Sequence, residues 1–247
     1  MADYDYKAGK KRLQKILDGK VEVIEQSRVP SDLEFTFDNG YYSWVSAIFV
    51  DIRKSTELFN EKDKVKIARI IRSFTSEIIE ILRQGDNLRE IGMRGDCVYA
   101  IYTTPKKDDV YELADRTFWI NTYMNMLNRL LCNRKLPTIT VGIGAATAQE
   151  LVVKAGRKDT GINNKVWIGN AVTNAAHLSS AGSKNGNSSI LYSNCFYSNI
   201  IDELVERSGE KARSWFSEKY DSNLGYYYTG AVIKSEFDKW ISNGMPD

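Results

Sequence analysis

The chain has 247 residues, 43% hydrophobic and 27% charged, a balance that suits a folded protein with a sizeable core and excludes a disordered or fibrous one. Its formal net charge of +2 supplies no broad basic field for nucleic acid, and no apolar run approaches the roughly 20 residues that span a bilayer. Cys97, Cys132 and Cys195 are too scattered for a disulfide framework or a zinc site, and the polar N-terminus is unlike a signal peptide, so a cytoplasmic protein with no membrane or nucleic-acid partner is expected.

Residues 1–43 read as an N-terminal extension. Leu13, Ile16 and Leu17 fall at helical spacing among lysines, Gly19 is a stop signal, and Val29-Pro30-Ser31-Asp32 and Asp38-Asn39-Gly40 read as turns. The core, residues 44–200, opens on Ala47-Ile48-Phe49-Val50, an apolar run of the kind found in a strand covered on both faces, and this run ends on Asp51. Ser55-Thr56 then start a helical segment. Asp63 is an N-cap for a helix carrying Ile67, Ile70, Ile71, Phe74, Ile78 and Ile81 on one face. Residues 89–102 read as two strands turning at Gly95-Asp96. A second helix, from about Asp108 to Cys132, is apolar on two faces, one with Val110, Leu113, Ala114 and Leu131, the other with Trp119, Tyr123, Met126 and Leu130. The second face implies a further partner, either another subunit or the N-terminal extension.

Thr138 to Ala145 alternates as a half-covered strand whose glycines admit close approach to the backbone. Leu151–Lys154 and Lys165–Ile168 read as a hairpin, Ala171 to Ala181 as a helix capped by Gly182, and Ser189–Tyr192 as a strand. Residues 201–247, the C-terminal part of the same domain, are aromatic-rich with a hairpin expected around Thr229-Gly230. The core order of strand, helix, strand, strand, helix, strand predicts an α+β, ferredoxin-like fold with a mostly antiparallel sheet and helices on one face. In such a fold Asp51 and Asp96, each at the edge of an apolar strand, can share divalent cations. The hydroxyls and amides after Asp51 suit the phosphates that such cations carry.

Three motifs now carry a resemblance. Phe49-Val50-Asp51-Ile52-Arg53-Lys54-Ser55-Thr56 resembles the first metal-binding motif of class III nucleotidyl cyclases, Gly95-Asp96 in its apolar hairpin the second, and Ile168 to Leu178 the third signature. The resemblance implies that Asp51, Asp96 and the Ile52 carbonyl hold two Mg²⁺ or Mn²⁺ ions, which in such pairs sit about 3.5–4 Å apart. It implies that Arg53, Lys54, Ser55 and Thr56 bind the triphosphate of a nucleoside triphosphate, with Arg94 beside base or phosphate. Thr173 stands at the position of the ribose-orienting asparagine, with Asn174 next to it, and His177 at that of the transition-state arginine. In this family sites are shared across a homodimer, so Asp51 and Asp96 of one chain would face Thr173 and His177 of the other.

The purine-reading lysine, four residues before the second aspartate, is Gly92 here, and the acidic reader falls at Val166. With Glu90 to Asp96 and Trp167-Ile168-Gly169-Asn170, these departures resemble the pyrimidine cyclases of bacterial Pycsar anti-phage systems. That narrower resemblance implies a uridylate cyclase rather than a cytidylate cyclase, whose product acts on a separate effector. An adenylate cyclase with atypical base readers and an inactive nucleotide-binding module are the alternatives. Lys234 is a further candidate for a phosphate-binding lysine.

Overall fold

The computed structural model describes residues 3–60, 62–158 and 160–246. Its centre is an antiparallel pair of long strands, β2 (Asn39–Ile52) and β5 (Val141–Gly156), in register from Gly40↔Val153 to Ile52↔Val141. The hairpin of β3 (Leu88–Arg94) and β4 (Cys97–Thr103) joins the outer side of β2. On the other side β7 (Ile190–Ser193) runs parallel to β5, followed by β9 (Gly225–Gly230) and β8 (Phe216–Asp221). The strand order is thus β3-β4-β2-β5-β7-β9-β8, with β1 (Glu22–Glu25) parallel to the start of β2 and β6 (Asn163–Ile168) antiparallel to the end of β5. The result is the mixed α+β architecture, mostly antiparallel, that the element order predicts.

Alternation along β2 divides the core. Ile48, Val50 and Ile52 face the layer made by α3 (Lys64–Leu82), α4 (Lys107–Asn133) and α6 (Asn194–Ser208), whereas Val45 and Ala47 face α5 (Asn170–Ala181) on the opposite side. The helices therefore cover both faces, not one. A helix can lie on the second face because Gly142 and Gly144 of β5 present bare backbone. A Cβ on Gly144 would fall 2.2 Å from the Ala175 carbonyl oxygen, and one on Gly142 would fall 2.0 Å from that of Ser179. Small residues, Ala171 and Ala175, line the helix side of this interface together with Leu178.

The remaining differences from the sequence reading have local causes. Asp63 caps α3 as expected, accepting from the amides of Val65 and Lys66. The two expected strands from Thr138 to Lys154 are one, β5, because the polar Gln149-Glu150 step stays in register opposite Trp44 and Ser43. The C-terminal hairpin turns at residues 222–224, where Asp221 Oδ1 accepts from the Asn223 amide and Gly225 takes a positive φ. Thr229-Gly230 ends β9. The second face of α4 is covered in part within the chain, not by the N-terminal extension: Tyr123 donates to the Ser73 carbonyl of α3, and Trp119 packs on Phe237 of α7 (Ser235–Ser242), while Trp119 stays exposed and Met126 and Leu130 half-buried. Among the described residues no helix is long and apolar enough to cross a membrane.

Replacing Gly144 by Ala forces α5 off β5 and should cost about 3 kcal/mol, the upper part of the usual overpacking range. Urea unfolding measures this, and an unchanged midpoint would mean that the helix lifts away freely.

A candidate nucleotide site at the end of the central strands

Strand register lays the candidate residues out in rows on the face that carries α5. Arg94, Cys97 and Asp51 are paired across β3, β4 and β2 in one row. Gly92, Tyr99 and Phe49 form the next, and Glu90, Ile101 and Ala47 the third. Asp96 lies in the turn just beyond the first row, where Gly95 takes φ +65° to reverse the chain. This turn makes the two aspartates neighbours although 45 positions separate them in sequence. The carboxyl of Asp51 is raised above its ordinary range, first by burial and, further down the ranking of causes, by the charge of Asp96, while Arg53 pulls it down.

The Arg53 guanidinium is the counter-ion. It pairs with the Asp51 carboxylate through Nη2, and Nη1 donates to the Ser180 carbonyl of α5 at 2.6 Å. Its own amide donates to Thr140 at 2.7 Å. Both groups are therefore committed within the chain, which leaves the expected phosphate cradle to Lys54, Ser55 and Thr56. Lys54 adopts the left-handed conformation, φ +53°, as it enters the short helix α2 (Ser55–Phe59). A cleft of about 630 Å³ opens beside Arg53, Lys54 and Leu58 against Thr138 and Thr140, but it includes neither aspartate. Lys184, in the loop after α5, also lowers the Asp51 carboxyl by its charge and went unnoticed in the sequence.

The donors that Asp51, Asp96 and the Ile52 backbone offer are all oxygens, a set that fits hard divalent cations. Burial and the Asp51 charge push the Cys97 thiol up to about 12, so it offers no thiolate. Ile52 has its side chain in the core, so only its backbone can serve the site. No group of three His, Cys, Asp or Glu side chains forms a metal cluster among the described residues.

The position expected to read the base, Gly92, has a physical reason to lack a side chain. A Cβ on Gly92 would meet the Tyr99 hydroxyl at 2.7 Å, and the Tyr99 ring stacks on Phe49 with centroids 5.2 Å apart. Tyr99 donates to Glu90 Oε1 at 2.9 Å, and Trp167 Nε1 to Glu90 Oε2 at 2.7 Å. Burial, reinforced by this hydrogen bond, pushes the Tyr99 phenol up to about 12. Glu90 and Trp167 lie 77 positions apart, so nothing in the sequence links them. Val166, at the acidic reader's position, is exposed on β6.

Thr173 and His177 sit one turn apart on α5. Its buried face is Ala171, Ala175, Leu178 and Ser179, which leaves both exposed on the far side from the sheet, with Asn174 between the two faces. The His177 ring makes no hydrogen bond among the described residues, while Thr173 Oγ1 donates to Gly169 at 3.1 Å. One chain thus presents the aspartates and the Thr173–His177 pair in different directions. Lys234 is held by Asp115 and lies over the Trp119 ring, and Arg94 is exposed at the end of β3.

A residue with no sequence signal fixes the start of α5. Glu150, 0% exposed, accepts from the Val172 amide at 3.0 Å, while its Oε2 has no partner among the described residues. A Cβ on Gly169 would fall 2.7 Å from Glu150 Cγ, so that glycine is the space the carboxylate occupies. Burial raises the Glu150 carboxyl, opposed by the amides of Val172 and Ala171.

Residues 38–190 match the family described as the adenylate and guanylate cyclase catalytic domain, and the chain belongs to that family. It is 54% identical to a uridylate cyclase of Treponema porcinum, over 99% of this chain and 83% of that one. It is 28% identical to a uridylate cyclase of Gulbenkiania mobilis over 96% and 95%. Among solved structures, the adenylyl cyclase CyaB of P. aeruginosa superposes with a TM-score of 0.64 at 21% identity, covering 79% of this chain and 97% of that one. That last likeness confirms the fold.

Glu150 yields a test with a definite sign. Because its folded carboxyl holds a proton more tightly than in the unfolded chain, the stability it contributes is complete below about pH 4.5 and is lost as pH rises through the folded value. Glu150→Gln keeps the acceptor for Val172 and removes the titration, so the wild-type Tm should fall relative to the variant as pH rises from about 4 to 8. Parallel curves would exclude the buried titration.

Proposed function

We propose that the protein is a metal-dependent uridylate cyclase, converting UTP to 3′,5′-cyclic UMP and pyrophosphate. The observation that carries this reading is the occupied space over Gly92. A side chain on that residue would begin 2.7 Å from the Tyr99 hydroxyl, so a lysine of the kind that reads purines in relatives would have to displace the Tyr99 ring. The stacked Phe49 and Tyr99 rings fill the same part of the sheet face, which favours a smaller base. The uridylate cyclase names of the relatives from Treponema porcinum and Gulbenkiania mobilis support uracil over cytosine.

In this reading Asp51, Asp96 and the Ile52 carbonyl hold two divalent cations, Mg²⁺ or Mn²⁺. When bound, these supply the charge that acidifies the ribose 3′-hydroxyl and offsets that of the departing pyrophosphate. The amides of Lys54, Ser55 and Thr56 take the β- and γ-phosphates, and Arg94 meets the substrate from the end of β3. Arg53 keeps Asp51 oriented and tied to α5. Thr173 and Asn174 position the ribose, and His177 donates a hydrogen bond to the charge that develops at the α-phosphate. Because Thr173 and His177 face away from the sheet of their own chain, they serve the aspartates of a second copy, which makes a two-fold homodimer with two equivalent sites. The resemblance carried by Glu90 to Asp96 and Trp167 to Asn170 supports a role in anti-phage defence, with cyclic UMP acting on a separate effector.

Incubation with each of the four ribonucleoside triphosphates and Mn²⁺ should yield cyclic UMP as the main product. Cyclic AMP in excess would overturn the base assignment, and no product from any of them would leave a binding module only. Asp51→Ala and Asp96→Ala should each lower turnover by about 10³-fold or more, about 4 kcal/mol, with an unchanged far-UV spectrum. Mixed Asp96→Ala and His177→Ala chains should regain part of the activity, because one of the two shared sites is then intact. If mixing restores nothing, each chain carries its own complete site.

A further inference from the structure

Most of the N-terminal segment is fastened to the body. Strand β1 pairs with β2, and the Val29 amide, fully buried, donates to Thr103 Oγ1 at 2.9 Å. The helix α1 (Tyr6–Leu17), which precedes it, is different. It is capped by Asp5, which accepts from the Ala8 amide, yet Leu13, Ile16 and Leu17 remain 60%, 67% and 81% exposed and Tyr6 69%. At 100° per residue Tyr6, Gly9, Leu13, Ile16 and Leu17 share one stripe about 100° wide. The rest of the surface carries Lys7, Lys10, Lys11, Arg12 and Lys15, and the helix contains no acidic residue. Among the described residues none of these five cations pairs with a carboxylate, although ion pairs are common elsewhere on the surface. The helix thus holds two uncompensated features at once, an uncovered apolar stripe and unpaired positive charge.

A single partner can satisfy both. A phosphate backbone would meet the cations but leave the stripe in water. A second α1 would meet the stripe but set like charges against each other. Four large side chains on a helix about 18 Å long also fall well short of the roughly 800 Å² per partner of a stable protein interface. An anionic lipid surface accepts an apolar stripe at the headgroup boundary and cations among the acidic headgroups. We propose that α1 is an interfacial anchor that lies flat on an anionic membrane, with Tyr6, Leu13, Ile16 and Leu17 inward. The absence of a spanning segment, from which the sequence reading expects no membrane partner, does not bear on a helix that lies on the surface. The anchor is independent of which nucleotide the enzyme cyclises.

Flotation of the full chain with vesicles of phosphatidylcholine, with and without phosphatidylglycerol, tests it. Binding should be at least tenfold stronger to the anionic vesicles and should be lost at high salt. The double variant Leu13→Ser with Leu17→Ser, which removes apolar surface without changing charge, should lose at least tenfold of that binding while keeping wild-type cyclase activity and oligomeric mass in solution. No binding by the wild type overturns the proposal. So does equal binding by the double variant, which would show attraction by charge alone, or a change in its oligomeric mass, which would make the stripe a protein interface.

Discussion

The contact on which the arrangement depends is the backbone-to-backbone seating of α5 on β5. With no side chain on Gly142 or Gly144, the helix settles so closely that its Ala175 and Ser179 groups touch the strand itself. At one end Glu150 holds the first turn through the Val172 amide. At the other, Arg53 reaches from the Asp51 carboxylate to the Ser180 carbonyl. Pinned on three sides, α5 can present Thr173 and His177 in only one direction, outward. In the proposed homodimer, this close fit is what would divide the reacting groups between copies and make the subunit interface part of the chemistry.

What could be read from the residues alone follows from periodicity. The isoleucine spacing of α3, its Asp63 cap and the Gly95-Asp96 turn are local signals, and local signals suffice for the β2-α3-β3-β4-α4-β5 order that defines the fold. The convergence of Asp51 and Asp96 was legible because a motif and a turn place both at strand ends. Residues that work through distant partners were not. Glu90 meets Trp167 only because β3 and β6 approach from opposite sides of the sheet. Glu150 looks like a polar break in a strand, and the sequence divides β5 there, whereas the acid is as enclosed as the apolar residues around it. The second face of α4 was visible as apolar surplus, but the part of its cover that α7 supplies lies more than a hundred residues further on.

In the proposed reading, the base end of the site would set specificity by taking space away. Gly92 is conspicuous in sequence only as a missing lysine. In the fold it is a requirement, since Tyr99, held by Glu90 and backed by Phe49, needs its room. Reintroducing a long side chain there would have to displace an aromatic ring as well as add a charge. Discrimination of this kind rests on exclusion as well as on attraction.

Arg53 carries one last implication. Small zinc-dependent domains stay unfolded until their ion arrives, because nothing else offsets the charge of their ligands. In the proposed metal-dependent enzyme the Arg53 guanidinium already offsets the Asp51 charge, so folding would not wait for the ion. Scarcity of divalent ions would then silence such an enzyme without destroying it, leaving a reserve that recovers as soon as the ions return.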